Sequence, residues 1–66
     1  MSVAKVIEIS AESERGFEDA VNLGITTAAK TVRNIKGAWV KEQQVVVEAG
    51  KVVNYRVNLQ ITFLLE

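Results

Sequence analysis

Two side chains in this sequence have the chemistry to recognise a ligand, Trp39 and Arg56. An indole face stacks on planar rings, and a guanidinium stacks or donates N–H groups to a carbonyl or phosphate. Gly37 stands two residues before Trp39, on the same side of an extended strand. Each has a plainer use. Trp39 equally suits a contact between subunits, where Trp is enriched. Arg56 equally suits an ion pair across strands or between subunits, with Glu42 or Glu48 as partner.

Other chemistry finds little support. The chain has no His and no Cys, which removes imidazole acid–base catalysis, thiolate nucleophiles and disulfides. Ser and Thr are present, but no spacing supplies them with a Lys or carboxylate base. We therefore expect a binding protein and not an enzyme. Glu8, Glu12, Glu14, Glu18 and Asp19 have the oxygen ligands of a hard cation such as Ca²⁺. They lack EF-hand spacing and read as solvated surface. The four glycines form no phosphate loop. Eight basic residues balance eight acidic ones, so nothing in the charge favours nucleic acid or a membrane surface. The opening has no signal-peptide pattern, and no apolar run approaches the ~20 residues that span a bilayer. The expected location is cytoplasmic.

The elements that position Trp39 and Arg56 follow from apolar periodicity. From Val53 to Leu65 every odd position is apolar, and Asn54, Arg56, Asn58, Gln60 and Thr62 fill the even ones. Strict period two marks a long strand with one buried face. Val3–Ile9 is apolar on both parities, which suits a central or interface strand, and the polar Ser10–Ser13 breaks the run. Ser13 is the preferred helix N-cap and Ser10 the alternative, with Glu14 against the positive helix end. Phe17, Ala20, Val21, Gly24, Ile25, Ala28, Ala29 and Val32 then step by three and four. This predicts a helix ending near 34–37, with Lys30 and Arg33 complementing its dipole. Gly24 in the middle of that stripe implies a close approach of helix to sheet.

Residues 37–47 are extended again, and Glu48-Ala49-Gly50-Lys51 is a turn. A symmetric hairpin there pairs Val40 with Leu59, Val46 with Val53, Trp39 with Gln60 and Gln43 with Arg56. The whole is an α+β fold over residues 1–66, one domain. It is a βαββ unit whose three-stranded antiparallel sheet packs on one long helix. Trp39 is left on the uncovered face with Gly37, Lys41, Gln43, Arg56, Asn58 and Gln60. So short a chain builds a small core, typically worth only ~3–5 kcal/mol net. Without disulfides, self-association is the expected source of added stability.

The opening VAKVIEIS, the Ser13-Glu14 helix start with Phe17, the small-residue helix, TVRNI over 31–35, the hairpin and the closing YRVNLQITFLLE resemble, in that order and spacing, the dodecins. These are small flavin-binding βαββ proteins that assemble into hollow homo-dodecamers. The resemblance implies storage or buffering of a flavin (riboflavin, FMN or FAD) at subunit interfaces. In flavin-binding dodecins a Trp early in the second strand stacks on the isoalloxazine, and a Gln after the third-strand Tyr bonds its polar edge. Here the stacking position is Gly37, with Trp39 two residues later, and the Gln position is Arg56. The implied flavin contacts are therefore Gly37, Trp39 and Arg56. The alternative is a flavin-free shell of the same fold that binds calcium or another small molecule, or serves as a scaffold or adaptor.

Overall fold

The chain folds as β1 (Ala4–Ser13), α1 (Phe17–Ala28), β2 (Ile35–Glu48) and β3 (Lys51–Leu64) in a computed structural model that describes residues 3–65. Met1, Ser2 and Glu66, which the expected 1–66 span includes, lie outside the described residues. The order is the expected βαββ. The sheet runs β1-β3-β2 with both pairings antiparallel.

The alternating strand β3 is the central one. Val57, Leu59 and Ile61 are fully buried on its helix side, together with Ala20 of the helix. Ile7, Ile9, Ala11, Phe17, Val21, Ile25, Ala28 and Ile35 pack around them. Phe17 meets Tyr55 edge to face, ring centroids 5.1 Å apart, which ties the start of α1 to β3. Gly24 is buried, and a Cβ built there would stand 3.1 Å from both Ala11 Cβ and Leu59 Cδ1. The close approach that Gly24 implied is therefore real.

Four expectations need correction. First, β1 does not end at Ile9. Ser10–Ser13 continues it to the Ser13–Tyr55 pair, and β1 lies at the sheet edge, not its centre. Period two persists through those residues, because Ala11 and Ser13 stay on the helix side and Ser10 and Glu12 on the other.

Second, Ser13 is not the N-cap. Gly16 takes that position at φ 152°, a conformation that favours glycine. The buried Ser13 hydroxyl instead accepts the Arg15 N–H at 3.0 Å and donates to the Asp19 carboxylate at 2.5 Å. Glu18 and Asp19, not Glu14, occupy the first turn.

Third, the helix is short, 12 residues. Tighter bonds from Lys30 N–H to Thr27 and from Thr31 N–H to Ala28 close it, and Asn34 at φ 63° redirects the chain into β2. Lys30 and Arg33 lie beyond the helix and do not complement its dipole.

Fourth, the hairpin register slips and recovers. The turn is as expected, with Glu48 opposite Lys51 and Ala49 and Gly50 both at positive φ. Trp39–Gln60 and Val40–Leu59 also pair as expected. Between them, one shift near Val53 and an opposite shift at Lys41 move the pairing by one residue. Val46 therefore faces Asn54, and Arg56 faces Gln44 instead of Gln43.

The helix covers β1 and β3 but not β2. Val40 and Val45 are therefore exposed on the helix side of β2, at 36% and 39%. The hairpin also runs past the end of β1 as a two-stranded ribbon. Val47, Val52 and Val53 are exposed there, and the molecule is drawn out to 51 × 19 × 14 Å. A ribbon of two strands is marginal alone in water.

Candidate functional site

The face of the sheet away from the helix carries the residues that can bind a ligand. Cross-strand partners share a face, so the pairings arrange it in rows. One row is Glu8–Gln60–Trp39; the next are Ser10–Asn58–Glu42 and Glu12–Arg56–Gln44. Gly37 opposes Thr62 and Val6 on the other side of the Trp39 row. All three expected contact residues, Gly37, Trp39 and Arg56, thus lie on one face.

Trp39 is 73% exposed, a large apolar ring among polar neighbours. A Cβ built on Gly37 would meet nothing within 4 Å, so the space beside the indole is open. Arg56 is held. Its Nε donates to Glu12 Oε2 at 2.6 Å, and Asn54 Nδ2 donates to Glu12 Oε1 at 2.8 Å. The ion-pair partner is therefore Glu12, not Glu42 or Glu48. The contact uses one of the five guanidinium N–H groups.

The shift at Lys41 brings Glu42 and Gln44 onto this face in place of Gln43, which joins Val57 on the helix side. Glu42 accepts from Asn58 Nδ2 at 2.6 Å, and Lys41 reaches across to Glu8 at 3.5 Å. Bulges of this kind commonly re-aim side chains at binding faces. Sequence spacing missed Glu12, Glu42 and Gln44. The strict alternation of β3 could have found Glu12, because it fixes the face of whatever β1 places opposite Arg56.

The acidic residues divide between regions. Glu8 and Glu12 lie on the open face with Lys41 and Arg56, and Asp19 is taken by Ser13. Among the described residues no three acidic groups assemble as a metal site within one subunit. Two grooves lie elsewhere. One, of about 380 Å³, runs between β1 and α1 beside Ala11, Leu23, Gly24 and Thr27. The other, of about 450 Å³, lies beside Val32, Arg33 and Phe63. Trp39 and Arg56 line neither, so the open face is a surface with one wall. No helix of the described residues is long and apolar enough to cross a membrane.

Fold and face together define a class: a small βαββ module with a helix on one side of its sheet and a polar, ring-bearing surface on the other. The dodecin family model matches residues 3–66, and the chain belongs to the dodecin family. It is 35% identical over 63 residues to the calcium dodecin of Mycobacterium tuberculosis, covering 96% of this chain and 89% of that protein. It is 34% identical over 64 residues to a dodecin of Thermus thermophilus, covering 97% and 93%.

Solved structures agree. A Thermus thermophilus crystal structure superposes with a TM-score of 0.94 at 33% identity, covering 100% of this chain and 97% of that one. A dodecin from Streptomyces davaonensis gives 0.94 at 25% identity, covering 98% and 96%. The calcium dodecin of M. tuberculosis, described with a novel calcium-binding site, gives 0.85 at 32% identity, covering 98% and 93%.

Proposed function

We propose that this chain forms a cytoplasmic homo-dodecamer that sequesters a flavin between subunits without catalysing a reaction on it. The observation that carries this reading is the exposed indole of Trp39 beside the open space at Gly37, on a face furnished with hydrogen-bonding side chains. An aromatic platform with convergent polar groups is what a planar heterocycle with a polar edge requires. Trp39 takes the stacking role two residues along from the usual family position, and Arg56 donates to the polar edge in place of the usual Gln.

A single chain supplies only one wall, so the second wall belongs to another copy. The surface left bare by the subunit supports this. Val40 and Val45 on β2, Val47, Val52 and Val53 on the ribbon, and Leu23 on the helix are all exposed. Among the described residues only four apolar side chains form the fully buried core. Burying that apolar surface against further copies supplies the stability that the small core lacks.

A second reading, a flavin-free shell that binds calcium, draws support from the calcium dodecin of M. tuberculosis at 35% identity. The two readings share the assembly and differ in the ligand. Light scattering at micromolar concentration is expected to give the mass of twelve chains. A monomer would contradict both.

A further inference from the structure

We propose that Glu12 is a specificity-determining residue: by neutralising Arg56 it makes the open face select a ring ligand that carries no phosphate. This deepens the flavin reading and rests on it. Arg56 alone would make the face a phosphate site, since guanidinium is the preferred partner of phosphate. The structure places a carboxylate on it. Glu12 spends both oxygens on this face, one on Arg56 Nε at 2.6 Å and one on Asn54 at 2.8 Å.

The other cation here, Lys41, is likewise matched, by Glu8 at 3.5 Å. The third carboxylate, Glu42, accepts from the neutral Asn58 amide at 2.6 Å and has no cation among the described residues. It stands beside Trp39 because of the shift at Lys41. The paired rows hold Glu8, Glu12 and Glu42 against Arg56. Lys41, at the irregularity between Val40 and Glu42, adds one positive charge through its contact with Glu8, which leaves one carboxylate in excess. Lys36, at the irregularity before Gly37, lies beyond the Trp39 row and away from Arg56.

A phosphate dianion brought to this surface meets a repulsive field. A neutral carbonyl edge meets guanidinium donors that Glu12 holds in place but does not exhaust. The ligand class that fits is an uncharged isoalloxazine such as riboflavin, ahead of its phosphorylated forms.

The test is a fluorescence titration of ligand-stripped protein with riboflavin and with FMN, in the parent and in Glu12→Gln. Gln keeps the shape and one acceptor oxygen while removing the charge. The parent is expected to bind riboflavin at least as tightly as FMN. Glu12→Gln is expected to move the FMN-to-riboflavin affinity ratio toward FMN by about five-fold, the scale of one partly screened charge. An FMN preference of tenfold or more in the parent, or a ratio that Glu12→Gln does not move, overturns the role of Glu12 and leaves the flavin reading standing. Binding of neither flavin overturns both.

Discussion

Leu59→Ala is expected to unfold the subunit or leave it at the edge of unfolding. Leu59 is fully buried at the centre of β3, opposite Ile9 on one side and Val40 on the other. Truncating a buried Leu costs about 2–5 kcal/mol, the larger values arising where the site cannot collapse. The helix above it presents Gly24, whose missing side chain is what lets Leu59 Cδ1 lie so close, so the helix has no side chain there to fill the gap. A core of this size leaves a net stability of only ~3–5 kcal/mol, comparable with the loss. Urea unfolding followed by circular dichroism, with the assembly mass measured alongside, should show a collapsed transition midpoint and loss of the large species. A midpoint close to the parent's would mean that assembly contacts, not this core, hold the subunit together.

The second large effect falls on ligand binding. Trp39→Ala should weaken flavin binding by about 1–3 kcal/mol, the scale of a base-like ring stacked on an aromatic side chain. That is a loss of roughly 5- to 150-fold in affinity. Stability of the isolated fold should barely change, because a side chain 73% exposed contributes little to the core. The pair of readouts separates two roles. If Trp39 is a platform, affinity falls while mass and unfolding midpoint hold. If it is a contact between subunits, the mass or midpoint falls, and any flavin binding that survives is unaltered per assembled subunit.

The reason β3 was legible and β2 was not is physical. β3 is central and packs on the helix, so its alternation is enforced along its length, and Val57, Leu59 and Ile61 stand where period two puts them. β2 is an edge strand with the helix on neither side, so little constrains which parity faces which way. Val45, Val46 and Val47 make the ambiguity worse, since a run of three apolar residues fits either register. The shifts near Val53 and at Lys41 are opposite and cancel, so the turn and the Gly37–Val40 pairs agree with a symmetric reading while the stretch between them does not, and a third shift before Gly37 sets Ile35 opposite Phe63.

That middle matters for the site. It decides that Glu42 and Gln44, not Gln43, share a face with Trp39 and Arg56. The helix stripe was legible through Ala28. Beyond it, Val32 kept the spacing because its N–H still bonds to the Ala28 carbonyl at 2.9 Å, although the intervening turn has left the helix. Ser13 misled for a related reason. Its hydroxyl serves a backbone N–H near the helix start, as a cap would, but that of Arg15, and its carbon skeleton belongs to β1.

Trp39 and Arg56 stood out by residue type and Gly37 by the resemblance to the dodecins, and the fold brings the three to one face. Glu12, the partner of Arg56, was hidden among solvated acids, because nothing local in the sequence joins residues 44 positions apart. Only the pairing of β1 with β3 does so.

The most direct test of the account is titration of the purified, ligand-stripped protein with riboflavin, FMN and FAD, read by flavin fluorescence. The account predicts saturable quenching near one flavin per subunit, as expected where a ring is stacked at an interface shared by identical chains. An assembled protein that quenches none of the three would contradict it. The dodecin fold would then be kept here for another ligand, and calcium binding would become the reading to pursue.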